Sequence, residues 1–282
     1  MIDAQAHVFR RLSPRYPRQV SELYPPGRQA TAEELLTAMD GAGVERAVLT
    51  ALSPEDEYLA ECLRRHPDRF AGVSVLDARR PDAAEALARK AEVVGVSGIR
   101  MHWLAEPDRD PEETPAFSLL ADMTERGLVL CLYAPASQLA VLAALLDRLA
   151  GLTVVLGQLG FPLLPTAADR LGRPRVEAPL PPPTLPAVLE LARHPAVHVL
   201  FAGQPTFSRR PYPYPDLDLM AGRLYHEYGP RRLLWASDFP WTRTEPGYAR
   251  TVELVDHQLP GLPQAERAAI LGGTAARLFT AT

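Results

Sequence analysis

Short apolar runs recur along the whole chain, at residues 2–9, 46–52, 70–76, 96–103, 128–133, 153–159, 197–202 and 232–238. Most are continuous rather than alternating with polar residues, as in parallel strands covered on both faces. The stretches between them carry helical spacing with physical start and stop signals. Thr31-Ala32-Glu33-Glu34 predicts a capping box ahead of Leu35, Leu36 and Met39. Ser53-Pro54 predicts a hydroxyl N-cap with proline at the first helical position, before Tyr58, Leu59 and Leu63. Helices over 118–126 and 137–150 are expected to stop at Gly127 and Gly151 in left-handed conformations. Further helices are predicted over 185–193, 216–228, 247–258 and 264–278.

Eight strands followed by helices are the arithmetic of a (β/α)8 barrel, whose usual size is about 250 residues. A doubly wound open sheet has the same alternation, but no G-x-G-x-x-G or G-x-x-x-x-G-K-[ST] phosphate loop follows any strand. The fold class expected is therefore α/β, a single distorted (β/α)8 TIM barrel over residues 1–282. Two stretches exceed a minimal barrel: 10–28, rich in proline and tyrosine, and 161–186, which contains Pro181-Pro182-Pro183. The proline run reads as a stiff surface connection. Both stretches follow strand C-termini, where barrel active sites form, and so are candidate substrate lids.

Composition narrows the function classes. The 282 residues are 47% hydrophobic and 23% charged, with a net charge of −4. That balance excludes a disordered chain and gives no basic field for nucleic acid or an anionic membrane. No apolar run approaches the ~18–20 residues of a transmembrane helix, and the first residues carry no secretion signal. The expectation is a cytoplasmic protein acting on a small molecule, with homo-oligomerisation left open. Two cysteines, Cys62 and Cys131, predict buried reduced thiols rather than a disulfide framework.

The polar residues placed on strands are the candidate chemistry. Side chains two apart on a strand share a face, which groups Asp3, Gln5 and His7 on the first strand and Arg100 and His102 on the fourth. Gln158 ends the sixth strand, Tyr133 the fifth, and Ser237-Asp238 the eighth. Polar residues at the inner ends of barrel strands are costly to bury without partners, so they mark a site. His66, His194, His226 and His257 read as structural, near helix ends or on helix faces. His198 reads as one residue out of phase with the inward set.

Four segments carry a resemblance: Ile2-Asp3-Ala4-Gln5-Ala6-His7, Gly98-Ile99-Arg100-Met101-His102, Val155-Leu156-Gly157-Gln158-Leu159-Gly160-Phe161-Pro162 and Leu234-Trp235-Ala236-Ser237-Asp238-Phe239-Pro240-Trp241. In order along the chain they resemble the strand motifs of the amidohydrolase superfamily, most closely its amidohydrolase-2 branch of lactonases and decarboxylases. Gly272-Gly273-Thr274-Ala275-Ala276-Arg277-Leu278-Phe279 is similar to that branch's C-terminal helix. The resemblance implies a distorted (β/α)8 barrel and a divalent-metal site built on D-x-H-x-H, a later histidine and an acid after the eighth strand. This chain has Gln5 in place of the first histidine and Gln158 in place of the later one, while His7 and Asp238 remain.

A neutral amide oxygen is a poor zinc ligand beside an imidazole nitrogen. The expected metal complement is therefore none, with weak zinc binding through His7 and Asp238 as the residual case. The resemblance then implies a metal-independent hydrolase of a small lactone or related cyclic ester or amide. In that expectation Asp238, its pKa raised by burial, is the general base on water, His7 orients the water, and Gln5 and Gln158 polarise the carbonyl. Arg100 grips a substrate carboxylate, and His102 and Tyr133 line the pocket. The alternatives are a ligand-binding pseudoenzyme and a non-oxidative decarboxylase of the same branch.

Overall fold

In the computed structural model, which describes residues 1–165 and 167–279, all eight apolar runs form strands. They are β1 (Ile2–Ala6), β2 (Arg46–Thr50), β3 (Phe70–Val75), β4 (Gly98–Met101), β5 (Val129–Leu132), β6 (Val154–Leu156), β7 (Val197–Phe201) and β8 (Leu233–Trp235). Each pairs in parallel with the next, in chain order. The ring closes beyond the end of β8, where Ala6 bridges Phe239 in parallel and the His7 N–H donates to the Phe239 carbonyl at 2.7 Å. This is a (β/α)8 barrel.

Two apolar clusters fill it. Inside the ring lie Ala4, Val48, Val73, Val129, Val155, Leu200 and Leu234, with Ala275 and Phe279 of the C-terminal helix Thr274–Phe279 joining them from the N-terminal end of the strands. Small and β-branched side chains suit this narrow interior. The opposite faces of the same strands, including Leu49, Ile99, Leu130, Leu156 and Trp235, pack against the surrounding helices. Burying each such side chain contributes roughly 1.5–3 kcal/mol.

The local signals of the sequence are mostly realised. Thr31 Oγ1 accepts from the Glu34 N–H, and the Glu34 carboxylate accepts from the Thr31 N–H, a complete capping box for helix Ala32–Gly41. Gly127 adopts φ of 67° directly after helix Pro115–Glu125, but the helix expected to reach Gly151 ends at Leu146, and Gly151, at φ 92°, belongs to the turns that follow. The Ser53-Pro54 start is not realised: that helix runs Glu57–Arg65. Asp56 precedes it and spends its carboxylate on Lys90 and Ser74 rather than on the helix end. A helix at Ala83–Arg89, between β3 and β4, was not predicted.

Loop 161–186 contains a two-residue antiparallel ribbon, Ala167–Ala168 against Pro174–Arg175; residue 166 in that loop and residues 280–282 lie outside the described set. No described helix is long and apolar enough to cross a membrane. Cys62 is buried as expected but Cys131 only half-buried, and desolvation pushes both thiols up to about 12.

Candidate active site

A bulge in β1 decides which polar side chains reach the barrel mouth. Asp3 pairs with Ala47 and Ala6 with Leu49, so β1 uses three steps where β2 uses two. The extra residue breaks the strict alternation. Asp3 therefore does not share a face with Gln5 and His7 as the sequence predicts. Its carboxylate accepts from the Ser237 N–H at 2.8 Å, the Ser237 hydroxyl at 2.5 Å and the Tyr248 hydroxyl at 2.9 Å, bolting β1 to the segment after β8.

Gln5 and His7 instead meet Asp238. The Gln5 amide donates to Asp238 Oδ1 at 2.9 Å, the Gln158 amide donates to Oδ2 at 2.7 Å, and His7 Nε2 lies 3.4 Å from Oδ1. On their far sides, Gln5 Oε1 accepts from Arg100 and Gln158 Oε1 accepts from the Tyr133 hydroxyl at 3.2 Å. The Arg100 guanidinium then lies 5.4 Å from the centre of the Tyr133 ring, a cation–π contact that completes a circle of five residues. Donor chemistry fixes both amides: an ionised carboxylate only accepts, so each Nε2 faces Asp238, which leaves Oε1 to Arg100 in Gln5 and to the Tyr133 hydroxyl in Gln158. Every hydrogen bond in the circle runs toward Asp238.

The backbone is bent to achieve this. Gln158 and Asp238 adopt φ of 31° and 58°, left-handed values that cost non-glycine residues about 1–3 kcal/mol each. The Asp238 N–H donates to the Gln5 carbonyl at 3.1 Å, which holds the turn against β1. Two glycines leave room. A Cβ on Gly203, after β7, would stand 2.8 Å from Gln158 Cβ, and one on Gly157 would stand 2.8 Å from Tyr133 Cδ2.

Gln5, His7, Arg100, Tyr133 and Gln158 line a cavity of about 280 Å3 with His102, Leu52, Trp241, and residues from both long loops, Leu23 and Tyr24 from the first and Leu164 and Pro165 from the second. Both stretches read as candidate lids thus reach the site. Arg28 ties them together, its Nη1 donating to the Leu23 and Gly172 carbonyls at 2.7 Å each. The sequence reading missed Trp241, Leu52 and Thr50. Leu52 lay in no motif, but Trp241 closes the quoted segment that carries Asp238, three residues after it, and was a fair candidate.

The electrostatics correct one expectation. Burial alone would raise the Asp238 carboxyl, but hydrogen bonds and charge from His7, the Gln5 amide and the Arg100 charge outweigh it and hold it below the usual carboxylate range. Asp238 is only 2% exposed and is not among the cavity-lining residues. Arg100 is 7% exposed, makes no ion pair with any described acidic residue, and has an unpartnered buried Nε. Burial lowers its pKa without removing its charge at neutral pH. His198 belongs to the inner parity of β7 with Leu200 and Ala202, not out of phase, but its Nδ1 is bound to the Ala196 carbonyl at 2.9 Å near the opposite end of the barrel.

A family model described as amidohydrolase matches residues 2–280. The chain belongs to the amidohydrolase-2 family. A comparison with curated proteins finds no match. Among solved structures, this amidohydrolase is similar to a putative 2-pyrone-4,6-dicarboxylic acid hydrolase from Pseudomonas putida, with 26% identity and a TM-score of 0.74 over 99% of this chain and 96% of that one. It is also similar to an amidohydrolase from Burkholderia multivorans with bound zinc, at 23% identity and TM-score 0.74 over 98% of each chain. A 5-carboxyvanillate decarboxylase from Sphingomonas paucimobilis matches at 18% identity and TM-score 0.65, over 99% of this chain and 98% of that one. The last two similarities establish the shared fold.

The donor set of this family member does not suit a divalent cation. The Asp238 oxygens face amide hydrogens, and the amide oxygens of Gln5 and Gln158 are taken by Arg100 and Tyr133. That leaves His7 Nε2, which itself lies 3.4 Å from Asp238 Oδ1. Among the described residues no cluster of three or more His, Cys, Asp or Glu side chains could hold an ion.

Proposed function

We propose that the protein is a metal-independent hydrolase of a small lactone or related cyclic ester that carries a carboxylate. Arg100 is the observation that carries this reading. A guanidinium buried without a carboxylate partner is costly, and a substrate carboxylate in the cavity supplies the missing charge through ionic hydrogen bonds. The cavity, at about 280 Å3, suits a ligand of one ring.

The circle of side chains supplies a fixed polar wall. Each glutamine has spent one amide hydrogen on Asp238 and keeps a second to offer the lactone carbonyl, held in place by its other bonds. The His7 Nδ1–H is committed to the Thr50 carbonyl at 2.7 Å, which fixes the ring with Nε2 toward the acid. Water attacks the carbonyl carbon, and the ring C–O bond breaks. No step calls for a Lewis acid.

The test is acid release, measured by pH-stat, on a panel of five- and six-membered lactones with and without a carboxylate. 2-Pyrone-4,6-dicarboxylate joins the panel because the similar Pseudomonas putida protein is a putative hydrolase of it. Turnover of carboxylated members, insensitive to chelator and lost selectively through KM in Arg100→Met, is the expected result. Turnover that follows added zinc, or release of carbon dioxide from an aromatic carboxylate, would overturn it.

A further inference from the structure

The hydrolase reading leaves open which group takes the proton from water, and the circle around Asp238 argues against that residue. Both its oxygens are already accepting, its negative charge is stabilised by His7 and Arg100, and it does not line the cavity. A carboxylate so well satisfied is a weak proton acceptor.

His102 has the opposite surroundings. It follows β4 two residues after Arg100, on the same face, and lines the same cavity. Its Nδ1 lies 2.7 Å from the Tyr133 carbonyl, and because a carbonyl only accepts, Nδ1 carries the hydrogen. In the neutral ring Nε2 is then a bare lone pair, and it has no partner among the described residues. The ring is held edge-on to Tyr133, with centroids 5.9 Å apart. His102 also borders a second cavity of about 290 Å3 with Trp103 and Arg79, so it stands where the site opens.

The charged groups around it favour the neutral form. The side chain is exposed at the mouth, yet the protein atoms packed around the ring and then the Arg100 charge lower its pKa, against smaller opposing effects from the Tyr133 carbonyl just after β5 and from Asp77 after β3. Arg79 spends its guanidinium on Asp77 and lies over Trp103. The remaining histidines are placed otherwise: His7 is engaged at both nitrogens, His194 Nε2 accepts from Arg193, His198 is bound near the far end of the barrel, His226 is exposed on the helix Asp218–Tyr228, and His66 and His257 pack against Phe70 and Tyr212.

We propose that His102, through Nε2, is the general base of this site, and that Asp238 is a positioning residue that orients Gln5, Gln158 and His7. This rests on the hydrolase reading above. In the step, the water oxygen forms the new bond to the carbonyl carbon while its proton passes to Nε2. The tetrahedral intermediate then collapses with cleavage of the ring C–O bond, and the imidazolium returns the proton to the departing alkoxide. Atoms and charge balance with water as the only co-reactant.

The test has two arms. In the first, the carboxylated lactone of the panel with the highest kcat/KM is the probe. His102→Gln is expected to lower kcat by ~10²–10⁴-fold with little change in KM, to abolish the acid limb of the pH profile, and His102→Ala to regain part of the rate with added imidazole. Asp238→Asn is expected to fold, since Gln158 can turn its amide over as the Tyr133 hydroxyl rotates, and to be slower but keep the acid limb. An acid limb that survives His102→Gln and vanishes in Asp238→Asn would overturn the assignment.

The second arm needs no turnover. Long-range nitrogen–proton NMR of the uniformly labelled protein, with His102→Gln for assignment, is expected to show hydrogen on Nδ1, none on Nε2 at neutral pH, and a midpoint below 6.5. A hydrogen on Nε2 in the neutral ring would remove His102 as the base. If no lactone turns over, the hydrolase reading falls by itself, and this arm alone decides whether His102 is the site's proton acceptor.

Discussion

Asp3 and Asp238 are two carboxylates on either side of one seam, both withdrawn from water, and they are perturbed in opposite directions. Asp3 is raised from 3.8 to about 6, whereas Asp238 is held below 3.8. Burial is the largest influence on each. Each also accepts several hydrogen bonds, so their number does not separate the two. The separation lies in charge: the donors to Asp3 are the neutral groups of Ser237, Tyr248 and Gln5, while His7 and Arg100 act on Asp238. Neutral donors soften the cost of burying an anion; only cations reverse it. One acid is therefore suited to hold strands together, and the other to anchor a polar circle.

Removing the anchored charge gives the largest expected effect. Asp238→Ala leaves Gln5, Gln158 and His7 without an acceptor and Arg100 without a nearby anion, and a loss on the order of 4 kcal/mol is expected in denaturant unfolding. Asp3 sharpens the contrast through pH. Its folded-state pKa is raised, so the folded form binds the proton more tightly than the unfolded chain between 3.8 and about 6. Stability is then expected to fall by up to about 3 kcal/mol as pH rises through that window, and to level off above it. Asp238 has the reverse sign: its contribution is present above 3.8 and is lost as pH falls through its lowered value. Asp3→Asn, whose amide can donate to the hydroxyls of Ser237 and Tyr248, should flatten the first slope and leave the second.

Reversing the polarity around Asp238 tests the comparison from the other direction. Gln5→His with Gln158→His replaces two amide donors by imidazole lone pairs beside His7 and Asp238. The double variant is expected to gain about 2.7 kcal/mol of stability at a hundredfold excess of zinc over its Kd, read by thermal unfolding, with no response in the parent. The smallest effect is expected from Tyr133→Phe. It removes the 3.2 Å bond to Gln158 and should cost about 1 kcal/mol, without altering the pH dependence assigned to Asp3.

The strands and most helices were legible because their signals are local. Apolar runs, the Thr31 cap and the Gly127 stop needed no knowledge of distant contacts. Arg100, His102, Gln158 and Asp238 were legible as polar residues at strand ends, and they do converge at one mouth. The Ser53-Pro54 start failed because Asp56 is drawn to Lys90, a partner 34 residues away that no local rule contains. The perturbation of Asp238 was misjudged for a similar reason. Burial can be guessed from a strand position, but the two amides, the imidazole and the guanidinium around the acid come from three different strands. The grouping of Asp3 with Gln5 and His7 failed on a single inserted residue.

That residue acts as a frameshift in space. Before it, β1 presents Asp3 to the seam with Ser237 and Tyr248; after it, the same strand delivers Gln5 and His7 to the mouth. One short word of sequence, Asp3-Ala4-Gln5-Ala6-His7, thus writes on both sides of the wall at once. Were the same five residues to alternate strictly, Asp3, Gln5 and His7 would all fall on one face, and either the seam or the mouth would lose its polar residues.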